Sequence, residues 1–416
     1  MTWISISALA VAAVAFTYSK LGYVAAQNLS LPLPIQGVAG QFVDPLSFAV
    51  QGNSGSFRNS SFKQVFNPTS SSPPFFQVFD PAFLSILGPN ASIRAIASNP
   101  SFAFAHEAPI WNPSTDEIFF ASNDGGALGN SDIDHNNVVG KINLADALQA
   151  LSASGNQTSP VNVTVTELSL SDTIQMTNGG TGPHRGNLVL INSGRGELPP
   201  SIALVNPQEP HNSTILLDNF FGRQFNSLND AKVHPISGKL FFTDVTYGFL
   251  NHFRPAPLLP SQVYRYDFDT GAVRVVADGF DRPNGLAFTK DGKTAYITDT
   301  GASGGFLGLN QTQPATIYQF DVDAKTEAFT NRRVFAYVDT GVPDGIQVDI
   351  NGNVYSGCGD GVQVWNDAGT LLGKFFLGTT SANMAFAGKG RLVIMAETAV
   401  YLAQIAAEGL DLASFS

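Results

Sequence analysis

PNGLAFTKDGKTAYITD, residues 283–299, reads as a short strand, a Lys290-Asp291-Gly292 turn and a second strand. The chain writes the same sentence three more times. LNDAKVHPISGKLFFTD occupies residues 228–244, EAPIWNPSTDEIFFASN residues 107–123, and PDGIQVDINGNVYSG residues 343–357. Each copy opens on one oxygen-bearing side chain: Glu107, Asn229, Asn284 and Asp344. In the first three an aromatic stands twelve residues further on, at Phe119, Phe241 and Tyr296. Tyr355 stands eleven past Asp344, so the last turn is one residue shorter.

Working outward, each unit continues into further strands. VYRYDFDTGAVRVVA, residues 263–277, reads as two strands joined at Asp-Thr-Gly, and residues 317–338 read likewise. Four strands per unit, recurring at roughly 40–60 residues, is the arithmetic of a β-propeller. Six units are counted: 102–145, one containing 186–205, three starting near 226, 281 and 341, and one containing 383–405. The prediction is an all-β, six-bladed β-propeller with an N-terminal arm. An N-terminal strand is expected to complete the last blade, with FFQVFD, residues 75–80, as the candidate. Closing the ring in this way removes free sheet edges.

The composition agrees. The 416 residues are 44% hydrophobic and only 13% charged, enough for a large core. The 40 Gly and 24 Pro argue against a mostly helical chain. A net charge of −11 without a basic stripe disfavours nucleic acid and anionic membrane as partners, and no protein partner is implied. Residues 1–26 read as an export signal: ISISALAVAAVAF is apolar, and Val24-Ala25-Ala26 offers small residues for cleavage before Gln27. The apolar run is shorter than the ~20 residues of a span. Residues 27–75 read as an arm and 76–416 as the propeller, with no membrane attachment once the signal is cleaved. Sequons at Asn28, Asn59, Asn90, Asn156, Asn162, Asn212 and Asn310 suit a secreted glycoprotein. Cys358 is the only cysteine, so no intrachain disulfide forms, and its apolar VYSGCG setting reads as a buried, inert thiol.

The innermost strand of every blade borders the central channel. Glu107, Asn229, Asn284 and Asp344, at one strand end in four blades, would therefore converge. Two carboxylates and two carboxamides make an all-oxygen set suited to Ca²⁺ or another divalent cation. Zn²⁺ fits poorly, since no His or Cys aligns with them.

HEAPIWNP, SLNDAKVHPISGKLFFTD, PNGLAFTKDGKTAYITD and PDGIQVDINGNVY resemble the motifs of the SMP-30/gluconolactonase/luciferin-regenerating-enzyme family, across residues 102–405. The export signal, the long loops and FRPAPLLPSQVYRYD resemble its fungal secreted lactonohydrolase branch. The resemblance implies a six-bladed propeller with a channel metal, often calcium, held by Glu107, Asn229, Asn284 and Asp344. It implies hydrolysis of a small sugar or hydroxy-acid lactone, with Asp344 taking the proton of the attacking water. Asn229-Asp230-Ala231 departs from the family's usual Asn-Asp-Gly. The alternatives are a non-catalytic calcium-binding propeller that recognises a ligand, and a strictosidine-synthase-like enzyme, which would not need this ligand set.

Other signals are weaker. GASGG, residues 301–305, matches a nucleophile elbow, but no helix-forming sequence follows it. DIDHNN, residues 132–137, reads as a surface loop, because Asn137 stands where a calcium loop needs Gly. Strand alternation is expected to turn His106 away from the channel. His184 is a candidate substrate contact at the channel mouth, and His234 a structural residue in a blade turn. Loops 123–135, 245–262 and 300–314 would select the lactone, with Phe249, Phe253 and Phe306 as an apolar lid.

Overall fold

The computed structural model describes residues 40–155 and 158–410. Six antiparallel sheets follow one another along the chain. The first blade orders Glu107–Asn112, Glu117–Ala121, Val139–Asn143 and Thr166–Glu167 from inside out. The second runs Thr177–His184, Asn187–Asn192, Ser201–Val205 and Ser213–Leu217. Blade three begins at Leu228–Val233, blade four at Pro283–Phe288, blade five at Ile346–Val348 and blade six at Asn383–Phe386. Consecutive innermost strands lie against each other, and the sixth returns to the first, so the molecule is a closed six-bladed propeller.

The sequence explains why the inner strands lie inside. Leu228–Val233, Leu240–Asp244 and Pro283–Phe288 are buried at every position, because blades cover both faces of a central strand. Aromatics fill the wedges between blades. Phe241 of blade three packs on Phe288 and Phe329 of blade four, and Tyr355 of blade five on Phe386 of blade six.

Ring closure departs from expectation in one respect. The strand that completes blade six is Ser92–Ser98, paired antiparallel with Ala399–Gln404. The expected strand, Phe75–Val78, instead extends blade five beyond Leu371–Phe376, and Gly40–Phe42 of the arm pairs with it in parallel. The physical reason is burial. Phe75–Val78 is enclosed at all four positions, with Phe75 and Phe76 against Phe376 and Phe375, so it needs a neighbour on both edges. Ser92–Ser98 instead packs Ile96 and Ala97 into the core shared by blades six and one, and its outer edge is covered by residues 161–163, with Val161 and Val163 donating to the Ala95 and Ile96 carbonyls.

The arm is tied to loops of blades four and five. Arg58 reaches Asp339 and Thr340, and Ser61 donates to Gln311. Beneath it Lys374, 1% exposed, bridges Asp339 and Asp360 at 2.7 Å each. A buried lysine so paired leaves no uncompensated charge. Residues 1–26, expected to be an export signal, lie outside the described residues, as do Asn28 and Asn156. No described helix is long and apolar enough to cross a membrane.

Candidate metal and active site

Glu107, Asn229, Asn284 and Asp344 lie together in the lining of one cavity of ≈ 180 Å³ at an end of the central channel. The local backbone explains their placement. The innermost strands of blades one to four share a register shift at this end, between Glu107 and Ile110, Thr177 and Gly180, Leu228 and Ala231, and Pro283 and Leu286. Such a bulge re-aims a side chain at a rim. In blade five Asp344 stands two residues before the strand, its N–H donating to the Gly357 carbonyl at 2.8 Å.

The strands approach so closely here that the following residue must be small. A Cβ on Gly285 would lie 2.5 Å from the Asp344 carbonyl oxygen, and one on Gly345 2.1 Å from Asn383 Cγ. This is what Asn284-Gly285 and Asp344-Gly345 encode. Blade three differs: Asp230 fills the corresponding place and accepts from the Ala231 and Leu286 N–H groups at 2.8 and 3.3 Å.

The donor set fits a hard cation. The Oδ1 atoms of Asn229 and Asn284 are buried without a hydrogen-bond partner. Orphaned acceptors are costly unless something fills them. Carboxylate oxygens of Glu107 and Asp344 and a ring nitrogen of His106 lie within 4.8 Å of one another. Burial pushes the Glu107 carboxyl well up, with Asp344 adding to the effect, and pushes Asp344 up to about 7 against the opposing pull of His106. Several buried acids facing one cavity is an arrangement that a divalent cation relieves.

Six further residues at the site were not assigned to it from the sequence. His106 lines the cavity, and its Nδ1 stands 2.7 Å from Glu397 Oε1. It precedes the strand, and Ala108 at φ 53° breaks the alternation on which its expected outward orientation rested. The surrounding carboxylates, Glu397 first, hold its pKa well above the usual imidazole value despite burial. Asn123 donates to the other oxygen of Glu397 at 3.1 Å. Asn383 of blade six donates to Glu107 Oε2 at 2.6 Å and so orients it. Asp124 and Asn178 complete the wall, linked by a 2.9 Å hydrogen bond. Asn178 had a signal: TNGG, residues 177–180, parallels LNDA and PNGL.

Loops 245–262 and 300–314 reach the mouth through Tyr247, Asn251, Thr300 and Ser303. Tyr247 is fixed by its hydroxyl to Thr300 Oγ1 at 2.5 Å. Phe249 and Phe306 meet edge to face nearby, whereas Phe253 is fully buried and takes no part in a lid. Ser303 of GASGG lies at this rim, followed by the single 3₁₀ turn Gly305–Leu307 rather than an elbow's helix.

His184 is not brought to this cavity. It ends the strand Thr177–His184, whose Gly180–Pro183 stretch lines a separate cavity towards the other end of the channel, and it stacks on Phe268 at 4.0 Å. His234 accepts from Ser237 N–H and holds the Gly292 carbonyl in blade-turn packing. In DIDHNN, Asp132 caps its own loop, and Asn137 ties blade one to blade two through Ser122 and Thr177.

A family model described as the SMP-30/Gluconolactonase/LRE-like region matches residues 107–398. Lactonohydrolase oryL of Aspergillus oryzae is 29% identical over 330 residues, covering 74% of this chain and 68% of its own. Lactonohydrolase oryH of the same organism is 28% identical over 355 residues, covering 68% and 70%. Among solved structures, a gluconolactonase of Xanthomonas campestris superposes with a TM-score of 0.59 at 24% identity, over 79% of this chain and 93% of that one.

Proposed function

The chain belongs to the SMP-30/gluconolactonase/LRE-like family, and from that premise we propose that it is a secreted, calcium-dependent lactonase. It hydrolyses a small sugar or hydroxy-acid lactone to the open acid. The observation that carries the reading is the orphaned oxygens of Asn229 and Asn284 beside the buried carboxylates of Glu107 and Asp344. Its named relatives include two lactonohydrolases and a gluconolactonase.

Glu107, Asn229, Asn284 and Asp344 would hold the cation, with Asn383 fixing Glu107. A divalent cation, when bound, supplies a Lewis acid that polarises the lactone carbonyl and stabilises charge on its oxygen. Asp344 accepts the proton of the attacking water on a carboxylate oxygen as the new C–O bond forms. The ring C–O bond then breaks, and the ring oxygen takes that proton back from Asp344 to leave as the hydroxyl of the product. Tyr247, Asn251 and Thr300 line the mouth with polar groups that orient a hydroxylated ring. Export is supported by the sequon asparagines 59, 90, 162, 212 and 310, which are all exposed, as a glycan acceptor must be.

The test combines metal analysis of the purified chain with acid release from a panel of aldono- and hydroxy-acid lactones, with and without chelator. Stoichiometric calcium and chelator-sensitive ring opening are expected. Calcium without turnover of any lactone would favour the ligand-recognising propeller, and activity untouched by chelator would overturn the metal's role.

A further inference from the structure

We infer that Asn178 is a fifth oxygen donor to the same cation, supplied by blade two and held in place by Asp124 and Ser193. The inference rests on the cation-binding reading above and adds to it one ligand and its support.

The first argument is register. The pairs Thr177–Asn192, Leu228–Asp244 and Pro283–Asp299 all precede the same one-residue bulge, three steps on the inner strand against two on its neighbour. Asn178, Asn229 and Asn284 therefore occupy the same place in three successive blades. Rotation about the channel axis carries one into the next, so a cation placed to reach two of them is at similar reach from the third. The glycine rule extends to blade two, where a Cβ on Gly179 would lie 2.3 Å from the Asn229 carbonyl oxygen. The innermost strands of blades two and three are thus as tightly apposed as those of blades four and five.

The second argument is the state of the carboxamide. Its Nδ2 is committed to Asp124 Oδ2 at 2.9 Å. Ser193 Oγ lies 3.3 Å from that same oxygen and 2.9 Å from the Leu228 carbonyl, which fastens the pair to blade three. With the nitrogen anchored, the Asn178 oxygen faces the opposite way. That oxygen is buried and has no partner, as is the case for Asn229 and Asn284. Asn178 itself is 4% exposed and lines the cavity. Three buried acceptors without a donor among them, at one height of one channel, call for a cation rather than for three separate hydroxyls. Calcium takes six to eight oxygens, and a further neutral donor raises the coordination number without adding charge.

The test uses the full chain and calcium itself, titrated in competition with a chromophoric chelator. Circular dichroism verifies the fold of each variant, and Glu107→Ala serves as the reference for a lost ligand. Asn178→Ala should weaken calcium binding by roughly 10–100-fold. Asp124→Asn keeps the shape of the side chain but not the carboxylate that anchors the amide, and should weaken calcium binding in the same direction. It keeps the inference testable if Asn178→Ala does not fold. If the wild-type chain binds no divalent cation, the cation-binding reading falls and this inference with it. If the wild type binds calcium and both variants bind it as tightly, this inference alone falls. Unchanged calcium affinity with a raised KM for the lactone would make Asn178 a substrate contact, and would overturn the assignment equally.

Discussion

At the scale of single residues, the site is a problem of unsatisfied oxygen. A carboxamide buried without a partner for its oxygen is destabilising by about 1–3 kcal/mol, and this cavity holds several such atoms. In the proposed mechanism Asp344 has two tasks, holding the cation and taking a proton. Asp344→Ala should fold, as circular dichroism would report, and lose roughly 10²–10⁴-fold in lactonase kcat. Full activity would remove Asp344 from the mechanism. The four oxygens at Glu107, Asn229, Asn284 and Asp344 were legible because each precedes a clean strand–turn–strand. Asn178 was hidden by the Gly- and Pro-rich strand that follows it, TGPHRGN. His106 was misjudged because alternation applies only inside a strand, and it lies just before one. Glu397 and Asn383 meet the first blade only through ring closure, which no local pattern announces.

At the scale of elements, apolar run and turn chemistry located the inner strands of five blades, but not that of blade two, Thr177–His184, whose run is interrupted by Gly and Pro. Pairing partners were harder to read. FFQVFD reads as the closing strand, yet SIRAIAS closes the ring, because position along the chain and covered edges decide it, not propensity. Ile96 lies at the centre of that closing strand and is fully buried against the first blade and the last. Ile96→Ala should cost about 2–4 kcal/mol in urea unfolding, and a loss below half a kcal/mol would mean that the strand is dispensable. The inner strands make a different demand. Gly345→Ala should push Asn383 away from Glu107 and destabilise by about 1–3 kcal/mol through overpacking. It should weaken calcium binding at the same time, and unaltered calcium affinity would show that the Asn383 support is not required.

At the scale of the whole molecule, several acids are buried together and the ring has no disulfide to help it. Burial pushes Asp124 up to about 6, and Asp244 and Asp344 up to about 7. The folded chain then holds protons that the unfolded chain releases near pH 4, so stability falls as pH rises from about 4 through 7. His106, held up by its carboxylates, acts in the same direction. Asp339 and Glu397, held below their usual range against burial by Lys374 and His106 respectively, act in the opposite sense, and their contribution is lost as pH falls below about 4. The chelated protein should therefore melt highest on the acid side of neutrality, and calcium at pH 7 should raise the melting temperature more than calcium at pH 5. Equal melting temperatures with and without calcium at pH 7 would speak against any occupied site.

Strand Ser92–Ser98 has its partner, Ala399–Gln404, at the far end of the chain. A ribosome thus produces one half of that ladder long before the other. Until the last blade emerges, the early strand has nothing to pair with, and the axial cavity lacks both Asn383 and Glu397. A message cut short ahead of Ala399–Gln404 would accordingly yield no weakened enzyme, only an open chain with a raw edge, and quality control would meet it before any substrate did.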